Sequence, residues 1–270
     1  MAFYWMDFRT APEAITGKLK GFAHRSLHYT HAGRRVHYVQ TGEDAAPPVV
    51  FVHGAPGDWS AFAEIMTDST LQKNSCLVSV DRLGYGQSGF GQSEVSILKQ
   101  AQSLLPVLDR LSGPALLVGH SFGGPIVAQM AALAPEKVAG LFLIAPAIDP
   151  AHEVVLWASY PADWPAFRWL MPPVWRVTND EKLAHVAQLH QLEPIWAQLQ
   201  TPTLFLHGQR DYLVPIENAY FGAKKMTQAP VQTHFPKDLD HLIPFTHPQV
   251  VVHILHEYLQ TGTLVWKNQH

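Results

Sequence analysis

A serine flanked by glycines, in residues 119–123, is the group in this chain best suited to nucleophilic chemistry. The segment reads Gly-His-Ser-Phe-Gly and fits a G-x-S-x-G turn with Ser121 at its centre. An apolar run, 114–118, precedes it and helical spacing follows it, so the pattern predicts a strand, a sharp turn and a helix. Glycines suit such a turn, because a Cβ at Gly119 or Gly123 would crowd two closely approaching backbones.

A serine hydroxyl is a poor nucleophile at neutral pH and needs a nearby base and a group that orients that base. Asp211 and His241 each follow a short β-prone segment. We expect both at the carboxyl-terminal edge of one sheet, where they can meet Ser121. Asp149 also follows an apolar run and is the alternative acid, whereas Asp240 is expected to be solvated or to stabilise a turn.

Apolar runs alternate with segments of helical spacing through most of the chain. Continuous apolar runs are typical of parallel strands that are covered on both faces. The predicted fold class is therefore α/β, with a doubly wound, mostly parallel sheet. Residues 26–40 predict a hairpin at a sheet edge, and residues 1–25 show no clear period. The predicted strands include residues 49–52, 77–80, 115–118, 138–144, 203–206 and 231–235.

The regular alternation fails between residues 149 and 200, so we expect a helical cap there, inserted late in the sheet. The predicted α/β core is then 1–148 together with 201–270. Inside the cap, Thr178–Glu181 fits a capping box and predicts that a helix begins there. Five of the chain's eight tryptophans lie in the cap and predict cap packing, an apolar substrate pocket, or both. They are Trp157, Trp164, Trp169, Trp175 and Trp196.

Composition narrows the classes of partner. The 270 residues carry a formal net charge of −3, which gives no basic surface for nucleic acid. No apolar stretch is long enough for a membrane span and the N-terminus lacks a signal-peptide pattern, so a cytoplasmic protein is expected. A single cysteine, Cys76, excludes an intrachain disulfide and fits a reducing compartment. The histidines show no metal-ligand spacing, so neither metal nor cofactor is expected. The sequence leaves open whether the protein forms a homodimer.

Two further motifs carry a family resemblance. Residues 53–57 read His-Gly-Ala-Pro-Gly, and residues 81–88 read Asp-Arg-Leu-Gly-Tyr-Gly-Gln-Ser. With the serine turn and the two loops, they give five motifs in the order typical of the α/β-hydrolase superfamily. From about 48 to 259 the chain resembles a cap-bearing, esterase-like serine hydrolase of that superfamily. It departs from the pattern at Asp240, because a glycine commonly precedes the histidine in the family.

The resemblance implies a role for each matching residue. Ser121 would be the nucleophile, His241 the general base and later the acid, and Asp211 the orienting acid. The backbone N–H groups of Ala55 and Phe122 would stabilise the oxyanion. The activity we expect is that of a carboxylesterase acting on small to medium apolar esters through an acyl-enzyme, with a small-molecule apolar substrate as its partner.

Other activities share this set of residues. Epoxide hydrolases and haloalkane dehalogenases look similar but use a carboxylate at the turn, so Ser121 argues against both. Hydrolysis of carbon–carbon bonds, amides or N-terminal proline bonds stays open, as does a ligand-binding or signalling protein on the same fold. A carbon–carbon hydrolase of carboxylated substrates would need a basic residue in the cap pocket, for which Arg168 and Arg176 are the candidates.

Overall fold

Eight strands form one sheet in the computed structural model of this protein, which describes residues 9–155, 157 and 159–264. The strands are β1 (His24–His31), β2 (Arg34–Gly42), β3 (Pro48–Val52), β4 (Cys76–Val80), β5 (Ala115–His120), β6 (Val138–Ile144), β7 (Thr203–Leu206) and β8 (Val231–His234). Their order across the sheet is β1-β2-β4-β3-β5-β6-β7-β8. Strands β3 to β8 are parallel, and β2 pairs antiparallel with β1 and β4. The mostly parallel sheet and its edge hairpin are confirmed.

Helices cover both faces of the sheet. They are α1 (Ile15–Lys18), α2 (Ala63–Met66), α3 (Ser69–Asn74), α4 (Ile97–Leu108), α5 (Gly123–Leu133), α6 (Ser159–Ala162), α7 (Pro165–Arg168), α8 (Pro173–Trp196), α9 (Glu217–Lys225), α10 (Ile243–Thr246) and α11 (Pro248–Thr261). Leu117 of β5 packs into the core cluster that holds α4, α5 and α9. Its neighbour Leu116 packs into the opposite cluster, with α2, α3 and α11. This alternation explains why the central strands β3, β5 and β6 are almost wholly apolar and buried.

Helix α1 packs its buried Ile15 and Leu19 into the second of these clusters, so part of the segment without a clear period belongs to the core. Residues 1–8 lie outside the described residues. The expectation that the N-terminus is not a signal peptide concerns these residues and therefore lies outside the described part of the chain. Within the described residues, no helix combines the length and the apolarity that crossing a bilayer requires.

The segment between β6 and β7 holds α6, α7 and α8 and forms no strand in its described residues. Helix α8 begins at Pro173, so the prediction that a helix begins at Thr178 is wrong. A proline suits the first helical position, because its missing N–H has no helical partner there. Thr178 instead lies inside the helix and donates its hydroxyl to the Val174 carbonyl at 3.0 Å. The far end of α8, at Trp196, is buried in the core beside α5.

Candidate active site

Ser121 lies in the sharp turn between β5 and α5, with a positive φ of 54°. Non-glycine residues rarely adopt this conformation, which costs roughly 1–2 kcal/mol and persists only where the surroundings enforce it. A Cβ on Gly123 would lie 2.1 Å from the Val52 carbonyl oxygen, and one on Gly119 would lie 2.7 Å from the Gly123 oxygen. Both glycines are therefore required by close backbone contacts, as the sequence predicted.

The structure brings Asp211 and His241 into direct contact. The His241 Nδ1–H donates to Asp211 Oδ2 at 2.7 Å, and the N–H groups of Leu213 and Val214 donate to Oδ1 at 2.9 and 2.8 Å. His207 Nε2 lies 3.3 Å from Oδ2. Burial alone would raise the pKa of Asp211, but the hydrogen bonds from His207 and His241 outweigh it and lower the pKa. The carboxylate is thus ionised and held in one orientation.

Ser121 and His241 line the wall of one cavity of about 1170 Å³. Among the described residues, no hydrogen bond joins the Ser121 hydroxyl to the imidazole; such bonds often shorten only when substrate is bound. The loop that carries His241 is hydrogen-bonded to the serine turn, because His120 Nε2 donates to the His241 carbonyl at 2.9 Å. Burial lowers the pKa of His120 to about 3, so it acts as a neutral donor.

The backbone N–H groups of Ala55 and Phe122 lie at the same cavity and donate to no oxygen in the part of the chain that the structure describes. Phe122 is the N-cap residue of α5, where the helix dipole favours a negative charge. The loop of Ala55 is ordered by the buried His53, whose Nδ1–H donates to the Gly54 carbonyl at 2.7 Å. His53 Nε2 accepts the Arg82 N–H at 3.1 Å, so a single neutral tautomer satisfies both bonds.

The other acidic candidates lie apart from this arrangement. Asp149 caps a short 3₁₀ turn, where it accepts from the Ala151 N–H at 2.9 Å and from His152 Nδ1 at 2.7 Å. Asp240 accepts the N–H of Leu242 at 2.9 Å, within its own exposed turn. Of the three carboxylates considered, only Asp211 contacts His241.

Comparison with known proteins agrees with this geometry. A profile of the α/β-hydrolase fold matches residues 47–170, and a profile of the prolyl oligopeptidase family matches residues 114–259. The chain belongs to the α/β-hydrolase superfamily. Its fold agrees as well, because a protein provisionally assigned as an aryl esterase from Burkholderia cenocepacia superposes with a TM-score of 0.74 over 88% of this chain and 99% of that one. At 19% identity, this likeness concerns the fold alone.

Curated relatives of this α/β hydrolase match over part of their length. A palmitoyl-protein thioesterase of rat mitochondria is 25% identical over 72% of this chain and 69% of its own length. A dihydrolipoyllysine-residue acetyltransferase component of an acetoin cleaving system from Pseudomonas putida is 32% identical over 43% of this chain. The chain spans 31% of the length of that protein.

A fully buried arginine joins the cap segment of the hydrolase to the loop of Ala55. Arg82 donates to Glu181 of α8 through both terminal nitrogens, at 2.6 and 3.1 Å, and its exposed fraction is 0%. The same guanidinium donates to the carbonyls of His53 and Gly54 at 2.9 and 3.0 Å. Among the described residues, Glu181 is the only ion-pair partner of Arg82, so this pair anchors α8 to the wall of the site.

A second Ser-His-Asp chain occurs away from the cavity. Ser26 Oγ lies 2.8 Å from His37 Nε2, and His37 Nδ1 lies 2.7 Å from Asp81 Oδ2. Asp81 also accepts the N–H groups of Trp59 and Gln87, at 2.7 and 2.8 Å. These contacts tie the 81–88 motif to the sheet and to the loop after β3. None of the three members lines the cavity of Ser121.

The cap side chains differ from the sequence expectation. Trp175 alone of the five cap tryptophans lines the cavity; Trp196 is buried in the core and the other three are exposed. Neither Arg168 nor Arg176 lines it, and Arg168 pairs with Asp163 and Asp180. Of the two roles expected for these tryptophans, lining the pocket fits Trp175 and packing fits Trp196, whereas Trp157, Trp164 and Trp169 precede α8 and are exposed.

Sequence reasoning missed three residues of the site. Glu181 was assigned to a capping box, although its carboxylate lies in the core against Arg82. His207 directly follows β7, four residues before Asp211, and that spacing could have indicated it. Lys182 lines the cavity and pairs with Glu153 of the same insertion, a contact that no spacing in the sequence indicates.

Replacing Glu181 by leucine should strongly destabilise the fold, because the charge of Arg82 is then buried without a partner. We expect a loss of about 3–5 kcal/mol in the free energy of unfolding. The matched control is Glu193→Leu, which removes the exposed pair with Lys225 and should cost about 0–1 kcal/mol. Urea titration of both variants measures the difference. Equal losses would contradict a special role for the buried pair.

The lowered pKa of Asp211 predicts how its contribution to stability depends on pH. An acid whose pKa is lower in the folded state stabilises the fold above its unfolded pKa, near 3.9, and this contribution is lost as the pH falls through the folded pKa. The difference in unfolding free energy between the wild type and Asp211→Asn should therefore be constant above about pH 5 and shrink below about pH 4. Urea titrations across this range test it, and a pH-independent difference contradicts it.

Proposed function

We propose that this α/β hydrolase is a serine carboxylesterase that acts through Ser121, His241 and Asp211. The observation that supports the proposal most is the Asp211–His241 hydrogen bond of 2.7 Å. His241 lines the same cavity as Ser121, whose φ is positive. Nucleophile, base and orienting acid come from three distant segments, and the fold gathers them at one edge of the sheet.

In the first half of the reaction, Ser121 Oγ attacks the ester carbonyl carbon while His241 Nε2 takes the hydroxyl proton. The negative charge that develops on the carbonyl oxygen is stabilised by the N–H groups of Ala55 and Phe122. The intermediate then collapses to an acyl-enzyme, and the alcohol leaves with the proton held on Nε2. Ionised Asp211 stabilises the imidazolium and fixes its tautomer throughout.

In the second half, a water molecule replaces the alcohol. His241 Nε2 takes one water proton, and the resulting hydroxide attacks the acyl carbonyl carbon. The same two N–H groups stabilise the second oxyanion. Collapse breaks the bond to Ser121 Oγ, which regains its proton from Nε2, and the carboxylic acid leaves.

The cavity supports an apolar substrate of small to medium size. About 300–1,000 Å³ is common for small-molecule sites, and the volume here is slightly above that range. We propose residues 149–200 as the cap that closes it. The apolar wall combines residues of the cap, the loop after β3 and the loops near Asp211 and His241. It includes Ala55, Pro56, Phe122, Val154, Met171, Trp175, Leu213, Val214, Leu242 and Phe245.

Three rival functions are less well supported. A carbon–carbon hydrolase of carboxylated substrates was expected to use Arg168 or Arg176, and neither lines the cavity. Epoxide hydrolases and dehalogenases would need a carboxylate where this chain has Ser121. A purely ligand-binding protein has no use for the strained serine beside an oriented histidine.

Replacing Ser121 by alanine should abolish turnover of p-nitrophenyl esters from acetate to decanoate, because it removes the hydroxyl that attacks the ester carbonyl in the proposed mechanism. We expect kcat to fall by about 10⁴-fold or more. The matched control is Ser26→Ala, which removes the serine of the second Ser-His-Asp chain and should leave turnover unchanged.

Mass spectrometry after fluorophosphonate treatment supplies an independent measurement. The wild-type protein and Ser26→Ala should gain one adduct, and Ser121→Ala should gain none. Hydrolysis by Ser121→Ala would refute the nucleophile assignment. A wild-type protein that neither hydrolyses esters nor reacts with the probe would favour the ligand-binding alternative.

Replacing Asp211 by asparagine should lower kcat by about 10⁴-fold, because an amide does not hold the Nδ1–H tautomer of His241 or stabilise its cation. Steady-state kinetics on p-nitrophenyl butyrate measures the effect. Asp240→Asn is the control, since Asp240 adjoins His241 but bonds only within its own turn, and it should behave like the wild type. A loss of similar size in both variants would show that charge near the loop, not the Asp211 contact, matters.

A further inference from the structure

One wall of the substrate cavity is polar, in contrast to its mostly apolar surroundings. It is formed by α8, from which Thr178, Asn179 and Lys182 line the cavity one helical turn apart, and by Ser159 of α6. Residues at i, i+1 and i+4 share one side of a helix, so these side chains form a continuous patch. Such a patch in a mostly apolar cavity orients a ligand by its polar atoms.

Lys182 is the charged member of this patch. Its side chain is 19% exposed and its ammonium donates to Glu153, whose side chain is 2% exposed. The Lys182 Nζ atom also lies 5.5 Å from the centre of the Phe122 ring, on the residue that follows Ser121. Among the described residues, Glu153 is its sole hydrogen-bond acceptor. An ammonium group has three N–H donors, so two remain for a ligand.

Burying this pair is unfavourable for folding alone. Removing two charges from water costs more than their attraction commonly returns, and an apolar pair would join the same segments at least as well. Burial raises the pKa of Glu153, and Lys182 opposes that rise. The pair therefore keeps a strong hydrogen-bond donor at the wall of a mostly apolar cavity, near Phe122 of the proposed oxyanion site.

The charge balance indicates what this donor binds. Lys182 is already neutralised by Glu153, so a substrate carboxylate would bring an uncompensated negative charge into the cavity. An uncharged acceptor oxygen brings none and still gains a charge-assisted hydrogen bond. The other basic residues of the cavity wall, Arg9 and Lys18, are exposed, so they do not change the balance at this buried wall.

We propose that Lys182, held in place by Glu153, binds an uncharged carbonyl oxygen of the substrate, so that the site selects esters with a keto group along the chain. This proposal rests on the proposed esterase function and adds its substrate class: oxo-substituted esters of medium length. Lys182 touches the substrate away from the reacting atoms and determines specificity rather than chemistry.

The test measures kcat/KM for two series of esters against their plain counterparts. One series is p-nitrophenyl decanoate with a keto group at carbon 4, 5, 6, 7 or 8; the other is decyl butyrate with the keto group at the same positions of the alcohol. Each rate is divided by the rate of alkaline hydrolysis, which removes intrinsic reactivity. We expect a maximum of about tenfold at one or two adjacent positions of one series, because a hydrogen bond to a charged donor is of that order.

The variant Lys182→Met should remove this maximum, so that keto and plain esters differ no more than in alkaline hydrolysis. Lys225→Met is the matched control, because it removes a surface lysine that also pairs with a glutamate, and it should retain the maximum. Fluorophosphonate labelling at a normal rate shows that the altered site is still assembled. Should Lys182→Met fail to fold, the double variant Lys182→Met with Glu153→Gln, which leaves no buried charge without a counter-ion, carries the same expectation of a lost maximum.

The variant Glu153→Gln gives a second, opposite expectation. It leaves the charge of Lys182 uncompensated, so p-nitrophenyl monoesters of dicarboxylic acids should gain relative to plain esters. A profile without a maximum in the wild type, or a maximum that persists in Lys182→Met, would overturn the proposal. So would a wild-type preference for the dicarboxylic monoesters. These outcomes leave the esterase proposal intact if Ser121→Ala is inactive on plain esters.

Discussion

The close contact between the start of α5 and the end of β3 determines the geometry of the whole site. Gly123 lies so near the Val52 carbonyl that no side chain fits between them. Ser121 must then turn through a positive φ to join its strand to the helix. The same contact sets the position of the proposed oxyanion site, since Phe122 precedes Gly123, and Ala55 lies three residues after Val52. Two backbones that touch thus position both proposed N–H donors and the proposed nucleophile.

The buried ion pair of Arg82 and Glu181 extends this arrangement into the cap segment. Arg82 holds the carbonyls of His53 and Gly54 with the same guanidinium that binds α8. The next residue of the helix, Lys182, lines the cavity. Consecutive charged residues of α8 therefore serve different purposes, Glu181 fixing the helix to the core and Lys182 presenting a donor to the substrate.

Much of the architecture followed from local patterns. The central strands are almost wholly apolar because both of their faces are covered. Gly119 and Gly123 flank Ser121 because the touching backbones leave no space for a side chain. Sequence patterns gave wrong predictions where they described a single helix without the segments that pack around it. The capping box at Thr178 has suitable residues, but Pro173 already starts the helix a turn and a half earlier. The number of tryptophans predicted packing, a substrate pocket or both, but could not say which residue does which; Trp175 lines the cavity and Trp196 packs in the core.

The sequence by itself determined the order of the elements, the serine turn and the loops that carry Asp211 and His241. These depend on spacing along the chain, which periodicity and turn chemistry reveal. Only the tertiary structure decided that Asp211 and not Asp149 contacts the histidine, and that Arg82 meets Glu181, 99 residues away. The structure also showed that Lys182, and neither Arg168 nor Arg176, lines the cavity from α8 and its flanking segments. Such contacts depend on the distances and burial that arise when distant segments pack, and no local pattern records them.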